Sequence, residues 1–426
     1  MLQRTCLLLI LVMLSYGSYS QLSHPVKVEV RKGEKGYVLL RGGQPYFIKG
    51  AGGSGNFARL AAYGGNSVRT WGTRNGKNVL DSAHKYGLTV LMGLSVASER
   101  HGFDYNDTAA VRKQFESLRT EVLKYKDHPA LLAWGIGNEL NLNYKNPKVW
   151  NAVNDIARMI HEVDPNHPAT TVLAGINKAE VDHINAVCKD IDLLAINTYG
   201  DLAQLPQRVR NLGWDGAYMV TEWGPTGHWE SLQTEWKSSI EETSSEKAAV
   251  YHSRYKYSID RDKERCVGSY VFLWGQKQER TPTWYGLFTE AGEESEVVDV
   301  MQFIWSGKWP ANRAPHIYSF QLDGKQATDN IYLKPSVLFN VYASANDPDN
   351  DRLTYRYEIL PEPEQLSEGG DFEKRPETLT NPTRENTRDG RARLQSPSRT
   401  GAYRVFVYIT DGHNNVATAN IPFYVK

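Results

Sequence analysis

Two short apolar runs in this chain end on a carboxylate: LLAWGIGNEL, which closes on Asn138 and Glu139, and YMVTEW, which carries Glu222. An ionised carboxylate at the end of a buried strand is costly unless it is paired or used. Two that face each other across one cleft meet the needs of glycosidic bond cleavage. A protonated acid helps the leaving oxygen depart, and an ionised group attacks the anomeric carbon. Either glutamate alone could cap a helix or pair with an arginine. Their joint position at matched strand ends favours chemistry.

That position depends on the elements around them. Short apolar strands are predicted at 46–50, 66–71, 88–94, 131–139, 169–173, 193–199, 218–223 and 268–274. Helical periodicity lies between them, most plainly at 108–126, where Val111, Phe115, Leu118, Val122 and Leu123 share a face, and again at 149–163 and 244–261. Eight strands alternating with helices predict a (β/α)8 TIM barrel, an α/β fold, over residues 21–311, with a β-hairpin at 26–40 leading into it. An open doubly wound sheet is the competing arrangement, but GAGGSGNF after the first strand lacks the GxGxxG spacing. In the barrel Glu139 ends the fourth strand and Glu222 the seventh, both over the C-terminal rim. From residue 312 to 426 the pattern changes to β-type runs at 336–342, 353–360, 403–410 and 417–425, which predicts a small immunoglobulin-like β-sandwich. Its polar middle, 361–400, reads as a long exposed loop or a partly disordered insertion.

The barrel resembles those of clan A glycoside hydrolases, most closely family 2. Asn138-Glu139 is similar to that family's Asn-Glu pair on strand four, which implies Glu139 as general acid/base and Asn138 on the sugar's 2-hydroxyl. Glu222 resembles the strand-seven nucleophile. The resemblance further implies that Arg69 holds the nucleophile ionised, that Tyr199 hydrogen-bonds it, and that Trp274 floors the first sugar site. The expected electrostatics agree, since Arg69 would lower the pKa of Glu222 while an aromatic, partly desolvated site facing a second carboxylate would raise that of Glu139. The chain departs from the family in two respects. Only a hairpin precedes the barrel, and Thr70-Trp71-Gly72 follows Arg69 in place of Ser-His-Tyr-Pro, which speaks against a galactosidase. Trp71 and Trp223 are further expected substrate contacts, and His101, His228, Trp229 and Trp284 could line subsites. The connection 224–244 could form a cleft wall or lid. The resulting expectation is a retaining β-glycoside hydrolase acting on a poly- or oligosaccharide. A transglycosylase with the same residues, a non-catalytic sugar-binding barrel and an adhesion protein built on the sandwich are the alternatives.

The composition narrows the partners. Lys and Arg total 49 against 49 Asp and Glu, so no global field recruits nucleic acid or an anionic membrane. Eleven tryptophans and 24 tyrosines would suit a large core and equally sugar faces. Residues 1–20 read as a signal peptide with cleavage near Ser20, which implies a secreted or periplasmic protein, and no later run is long enough to span a bilayer. Cys188 and Cys266 are too few for a disulfide framework and wrongly spaced for zinc. No metal or nucleotide motif appears in the barrel, so no cofactor is expected there. The stretch 346–351 (NDPDND) offers oxygens to calcium, but a solvated Asx-rich turn is the simpler reading.

Overall fold

A computed structural model describes residues 24–379 and 389–426, so the signal-peptide reading lies outside the described residues. Eight parallel strands close into a barrel: β1 (Ile48–Gly52), β2 (Ser67–Arg69), β3 (Thr89–Leu94), β4 (Leu131–Ile136), β5 (Ala169–Ala174), β6 (Leu193–Asn197), β7 (Tyr218–Trp223) and β8 (Cys266–Val271). Closure is direct, with Gly268 of β8 opposite Ile48 of β1. Each of β3, β4, β7 and β8 is buried along its whole length, as expected of strands covered on both faces. The inside of the barrel is filled by Leu91, Leu132, Val172, Ala195, Met219 and Tyr270, so it is a packed core and not a pore.

The helices form the outer ring. Thr108–Tyr125 starts at Asp107, whose carboxylate accepts the free N–H groups of Ala109 and Ala110 at 3.0 Å. Ser244–Arg254 opens on a capping box between Thr243 and Glu246. The hairpin of Val28–Gly33 with Gly36–Arg41 packs Val28 and Leu39 onto the interior cluster, which closes one end of the barrel against water.

The sandwich has two sheets. One contains β9 (His316–Leu322), β11 (Leu338–Asn346) and β13 (Arg391–Gln395); the other contains β12 (Thr354–Pro361), β14 (Gly401–Thr410) and β15 (Asn415–Val425), with β10 (Ile331–Leu333) paired to β15. Strands β9, β10 and β13 were not among the sequence expectations, the last because its RARLQ alternation is embedded in charged sequence. The sandwich is joined to the barrel by polar contacts. Glu294–Ser295 pairs in parallel with Asn415 and Val416, the Ser244 and Ser245 hydroxyls accept from the N–H groups of Thr418 and Ile317, and Arg404 donates to the Ser239 carbonyl at 2.7 Å.

The expectation of a free loop over 361–400 needs correction for its described part. Residues 362–379 are anchored to the barrel although they bury little apolar surface, because their charges find partners. Asp371 takes both guanidinium nitrogens of Arg100 at 2.9 and 3.1 Å, and Arg375 reaches Glu290 at 3.2 Å. Glu373, with a side chain 0% exposed, pairs with Arg280 at 3.2 Å and accepts from Gln278 and the Arg280 N–H. Glu373→Ala would leave Arg280 and these donors unmatched. A loss of about 3 kcal/mol of stability is expected, checked by chemical denaturation.

Candidate active site

The chain leaves β4 through Gly137 at φ 69° and Glu139 at φ 53°, a left-handed conformation that non-glycine residues seldom adopt. The Glu139 N–H is held by the Val172 carbonyl at 2.9 Å. This sharp turn brings Asn138 and Glu139 together over the barrel mouth, and strain of this kind is often found at functional sites.

Glu222, on β7, receives three donors. Arg69 Nη1 and Trp71 Nε1 each reach its Oε1 at 2.8 Å, and the Tyr199 hydroxyl donates to its Oε2 at 3.1 Å. Arg69, 2% exposed, also donates to Asn138 Oδ1 at 2.6 Å and to the Thr221 carbonyl at 2.8 Å. One planar guanidinium thus ties the strand-two, strand-four and strand-seven ends together. A lysine in its place would keep the charge but offer one ammonium where the fork had several donors. Arg69→Lys is expected to lower kcat/KM by about a hundredfold, the order seen when one preorganised donor is removed. Steady-state kinetics on the best aryl glycoside checks it.

Glu139 differs in environment. Its Oε1 accepts only from Asn197 Nδ2, at 2.9 Å. Burial, and then the nearby Glu222 charge, push its carboxyl up from 4.5 to about 7, so it keeps its proton up to near-neutral pH. The Tyr199 hydroxyl is raised well above its usual range by burial and by Glu222, and so acts as a donor throughout. His228 is lowered to about 4 by burial and by Arg280 and Lys277; its Nδ1 lies 2.9 Å from the Tyr285 hydroxyl.

Two cavities meet at this point. One, of about 750 Å³, is lined by both carboxylates with Trp71, Asn138, Tyr199 and Phe272. The other, of about 920 Å³, touches Glu139 but not Glu222 and extends between the barrel and the sandwich. The connection 224–244 is a wall of the second, through His228, Trp229 and Trp236. His101 lines the first, with Nε2 at 3.1 Å from Asp371.

The structure therefore brings together Arg69, Trp71, Asn138, Glu139, Tyr199 and Glu222, and it takes Trp223 and Trp274 elsewhere. Trp223 follows Glu222 on one strand, so its ring must point to the opposite face. It is 0% exposed and packs on Tyr251 and Tyr255 beneath the outer helices. Trp274 lies three residues beyond the end of β8 and turns outward among Tyr63, Phe288 and Trp305, with its indole N–H on the Asn56 carbonyl. Phe272, rather than Trp274, lines the two-carboxylate cavity, edge-on to Trp71 at 5.8 Å. Trp284 is also buried, donating to the Thr226 carbonyl. Asn197 was missed by sequence reading. It sits two residues before Tyr199, and its amide joins Arg69, Thr221 and Glu139; the period of two along β6 was the available signal.

Residues 55–253 match the family model described as glycosyl hydrolases family 2, TIM barrel domain. That stretch, which holds β2 to β7, is similar to the barrel of glycoside hydrolase family 2. Solved structures similar to the chain include β-glucuronidases. The enzyme from Dictyoglomus thermophilum shares 18% identity at a TM-score of 0.52, over 66% of this chain and 54% of that one. For the Faecalibacterium prausnitzii enzyme the values are 16% and 0.51, over 66% and 52%. For Bacteroides uniformis β-glucuronidase 2, bound covalently to a cyclophellitol-6-carboxylate aziridine, they are 15% and 0.52, over 94% and 48%. The chain spans about half the length of these proteins, and at such identities the likeness is one of fold. No curated protein matches the sequence.

Among the described residues, the group that could hold a metal ion lies in the sandwich and lines neither cavity. Asp347, Asp351 and Asp411 of the sandwich place carboxylate oxygens within 4.8 Å of one another. Asp347 Oδ1 accepts the N–H groups of Asp349 and Asp351 at 2.8 and 3.1 Å, the hydrogen bonds of an Asx-type turn. No described helix is long and apolar enough to cross a membrane.

Proposed function

We propose that the protein is a secreted, retaining β-glycoside hydrolase that cleaves a β-linked glycan by double displacement. The observation that carries this reading is the contrast between two carboxylates in one cavity. Glu222 is held by Arg69, Trp71 and Tyr199, whereas Glu139 is raised to about 7. In the first step Glu222 attacks the anomeric carbon while Glu139 gives its proton to the departing glycosidic oxygen, leaving a glycosyl ester on Glu222. Glu139, now ionised, removes a proton from water as that water attacks the same carbon. The ester bond breaks, the sugar leaves with its original configuration, and both carboxyls return to their starting states. Asn138, whose Oδ1 is fixed by Arg69, is placed to hold the sugar's 2-hydroxyl through its free amide end.

The donor sugar is proposed to be uncharged. The lysine and arginine lining the two-carboxylate cavity are already engaged, Lys277 with Glu279 at 2.7 Å and Arg100 with Asp371. A sugar carboxylate would have to break one of these pairs. A panel of aryl β-glycosides and of glucan, mannan and xylan oligosaccharides, run with the wild type and Glu222→Gln, tests the activity. Proton NMR of the first product then tests the stereochemistry. Turnover to a β-anomer by the wild type alone is expected; equal, negligible turnover by both proteins, or an α-anomer, would overturn the reading.

A further inference from the structure

The barrel mouth is not an open rim. A strap from the sandwich, residues 362–373, crosses it. Its last four residues are gripped from two sides. From the loop after β8, Lys277 Nζ donates to the Gly370 carbonyl at 2.8 Å and Arg280 binds Glu373. From the loop after β3, Arg100 makes paired contacts with Asp371, which lies between them. These loops are three strands apart around the barrel, so the strap spans the opening above the carboxylates. At its centre Gly369 lies so close to the β4 loop that a Cβ there would stand 2.7 Å from Leu142 Cδ2. Glu139, Tyr199, Trp229 and Gly369 line both cavities, which therefore join beneath the strap.

The direction of the chemistry gives the two cavities different occupants. A nucleophile attacks the face opposite the leaving group, and the acid protonates the leaving oxygen, so the leaving part of the substrate extends on the Glu139 side, away from Glu222. The cavity of about 920 Å³ lies on that side, at the upper end of the range for ligand pockets of about 300–1,000 Å³. It is built from both domains, with Trp229 and Ile176 from the barrel and Leu366, Ala402 and Arg404 from the sandwich. Its arginines are already paired, Arg208 with Asp201, Arg280 with Glu373 and Arg404 with Glu362, so Lys237 is the one lining cation that these pairs leave to a ligand. Trp229 is 56% exposed and is propped edge-on by Tyr199 at 5.4 Å and His228 at 4.8 Å, a rigid indole face open to a sugar ring where the cavities meet.

We infer that this cavity between barrel and sandwich is a binding site for the leaving part of an uncharged β-linked glycan, and that the chain passes beneath the strap and is cut internally. The inference rests on the glycosidase reading for its direction, but the site itself is tested by binding alone. Calorimetric titration of the Glu222→Gln protein with β-1,4-linked gluco-, manno- and xylo-hexaoses is expected to give saturable binding to at least one of them. Ala402→Arg, which inserts a long side chain from the sandwich wall, should weaken that binding at least tenfold. Leu366→Arg, at an exposed strap position, should do the same without burdening the fold. Melting temperatures of the variants separate a filled cavity from a damaged domain. No binding of any hexaose, or binding that neither arginine variant weakens, would overturn the inference. Turnover of aryl β-glycosides by the wild type is scored separately: turnover with no effect of the arginines defeats this site alone, and arginine-sensitive binding with no turnover defeats the hydrolase reading alone.

Discussion

Glu222→Gln is expected to reduce turnover of every accepted β-glycoside by about 10⁴-fold or more, the scale on which loss of a covalent nucleophile is felt. The size of the effect follows from what the site provides. Arg69, Trp71 and Tyr199 all aim donors at one carboxylate, and an amide of the same shape retains the volume but neither attacks carbon nor carries the charge that these donors match. Two of the Glu222 partners, Arg69 and Trp71, would then share a neutral acceptor in place of a charged one, so some stability is lost as well. The kinetic loss should fall on kcat and kcat/KM together, since the missing interaction exists only along the reaction path. Single-turnover kinetics with the preferred aryl glycoside measures it.

Glu139→Gln is the second large effect, and its pattern matters as much as its size. General acid assistance is worth about 10²–10⁴-fold. The loss should approach the upper figure for an oligosaccharide, whose alkoxide leaves badly, and should shrink for a 4-nitrophenyl glycoside, whose phenolate leaves without a proton. Wild-type kcat/KM should fall as pH rises through about 7, where Glu139 loses its proton, and this limb should vanish in Glu139→Gln. The same group has a stability signature of opposite sense to an ion-paired carboxylate. Because burial and Glu222 raise Glu139 from 4.5 to about 7, the folded chain retains a proton that the unfolded chain releases in that interval. Its contribution to stability is full below about pH 4.5 and is lost as pH rises through about 7. Glutamine stays neutral throughout, so above pH 7 the variant should melt about 2 °C higher than the wild type, the shift that roughly 1 kcal/mol gives in large domains. The difference should disappear below about pH 4.5.

Much of this site was legible because strand ends in a parallel barrel converge on one rim. An apolar run ending in Asn-Glu or in Thr-Glu-Trp locates a side chain over the mouth as soon as the strand count is known; Trp71 followed from its rim segment, and Arg69 and Tyr199 from the family resemblance. Trp223 and Trp274 were misplaced for a related reason. Membership of a rim segment says nothing about which face a ring takes, and Trp223 is the immediate neighbour of Glu222, so strand alternation sends it to the helices. Trp274 is carried outward by the turn after β8, leaving Phe272 at the site. The strap was the least legible feature. Its sequence is polar and poor in large apolar groups, which suggests a free loop, yet Asp371 and Glu373 are complemented by Arg100 and Arg280, far earlier in the chain. Pairing across such distances leaves no local periodicity to read.

The sandwich therefore changes how the barrel is understood. A family 2 barrel with an open rim would suit many substrates, whereas a strap fixed at both sides narrows the mouth and joins two cavities under Gly369. In the proposed reading the carboxylate pair supplies the reaction and the interdomain wall selects what reaches it.

The central claim is that Glu222 forms the covalent bond to the sugar. Incubation with a 2-deoxy-2-fluoro-β-glycosyl fluoride of the preferred sugar, followed by peptide mass spectrometry, tests it most directly. The account predicts one fluoroglycosyl adduct, carried by Glu222, with loss of activity in step with labelling. An adduct on Glu139, or hydrolysis of the reagent with inversion and no adduct at all, would contradict it.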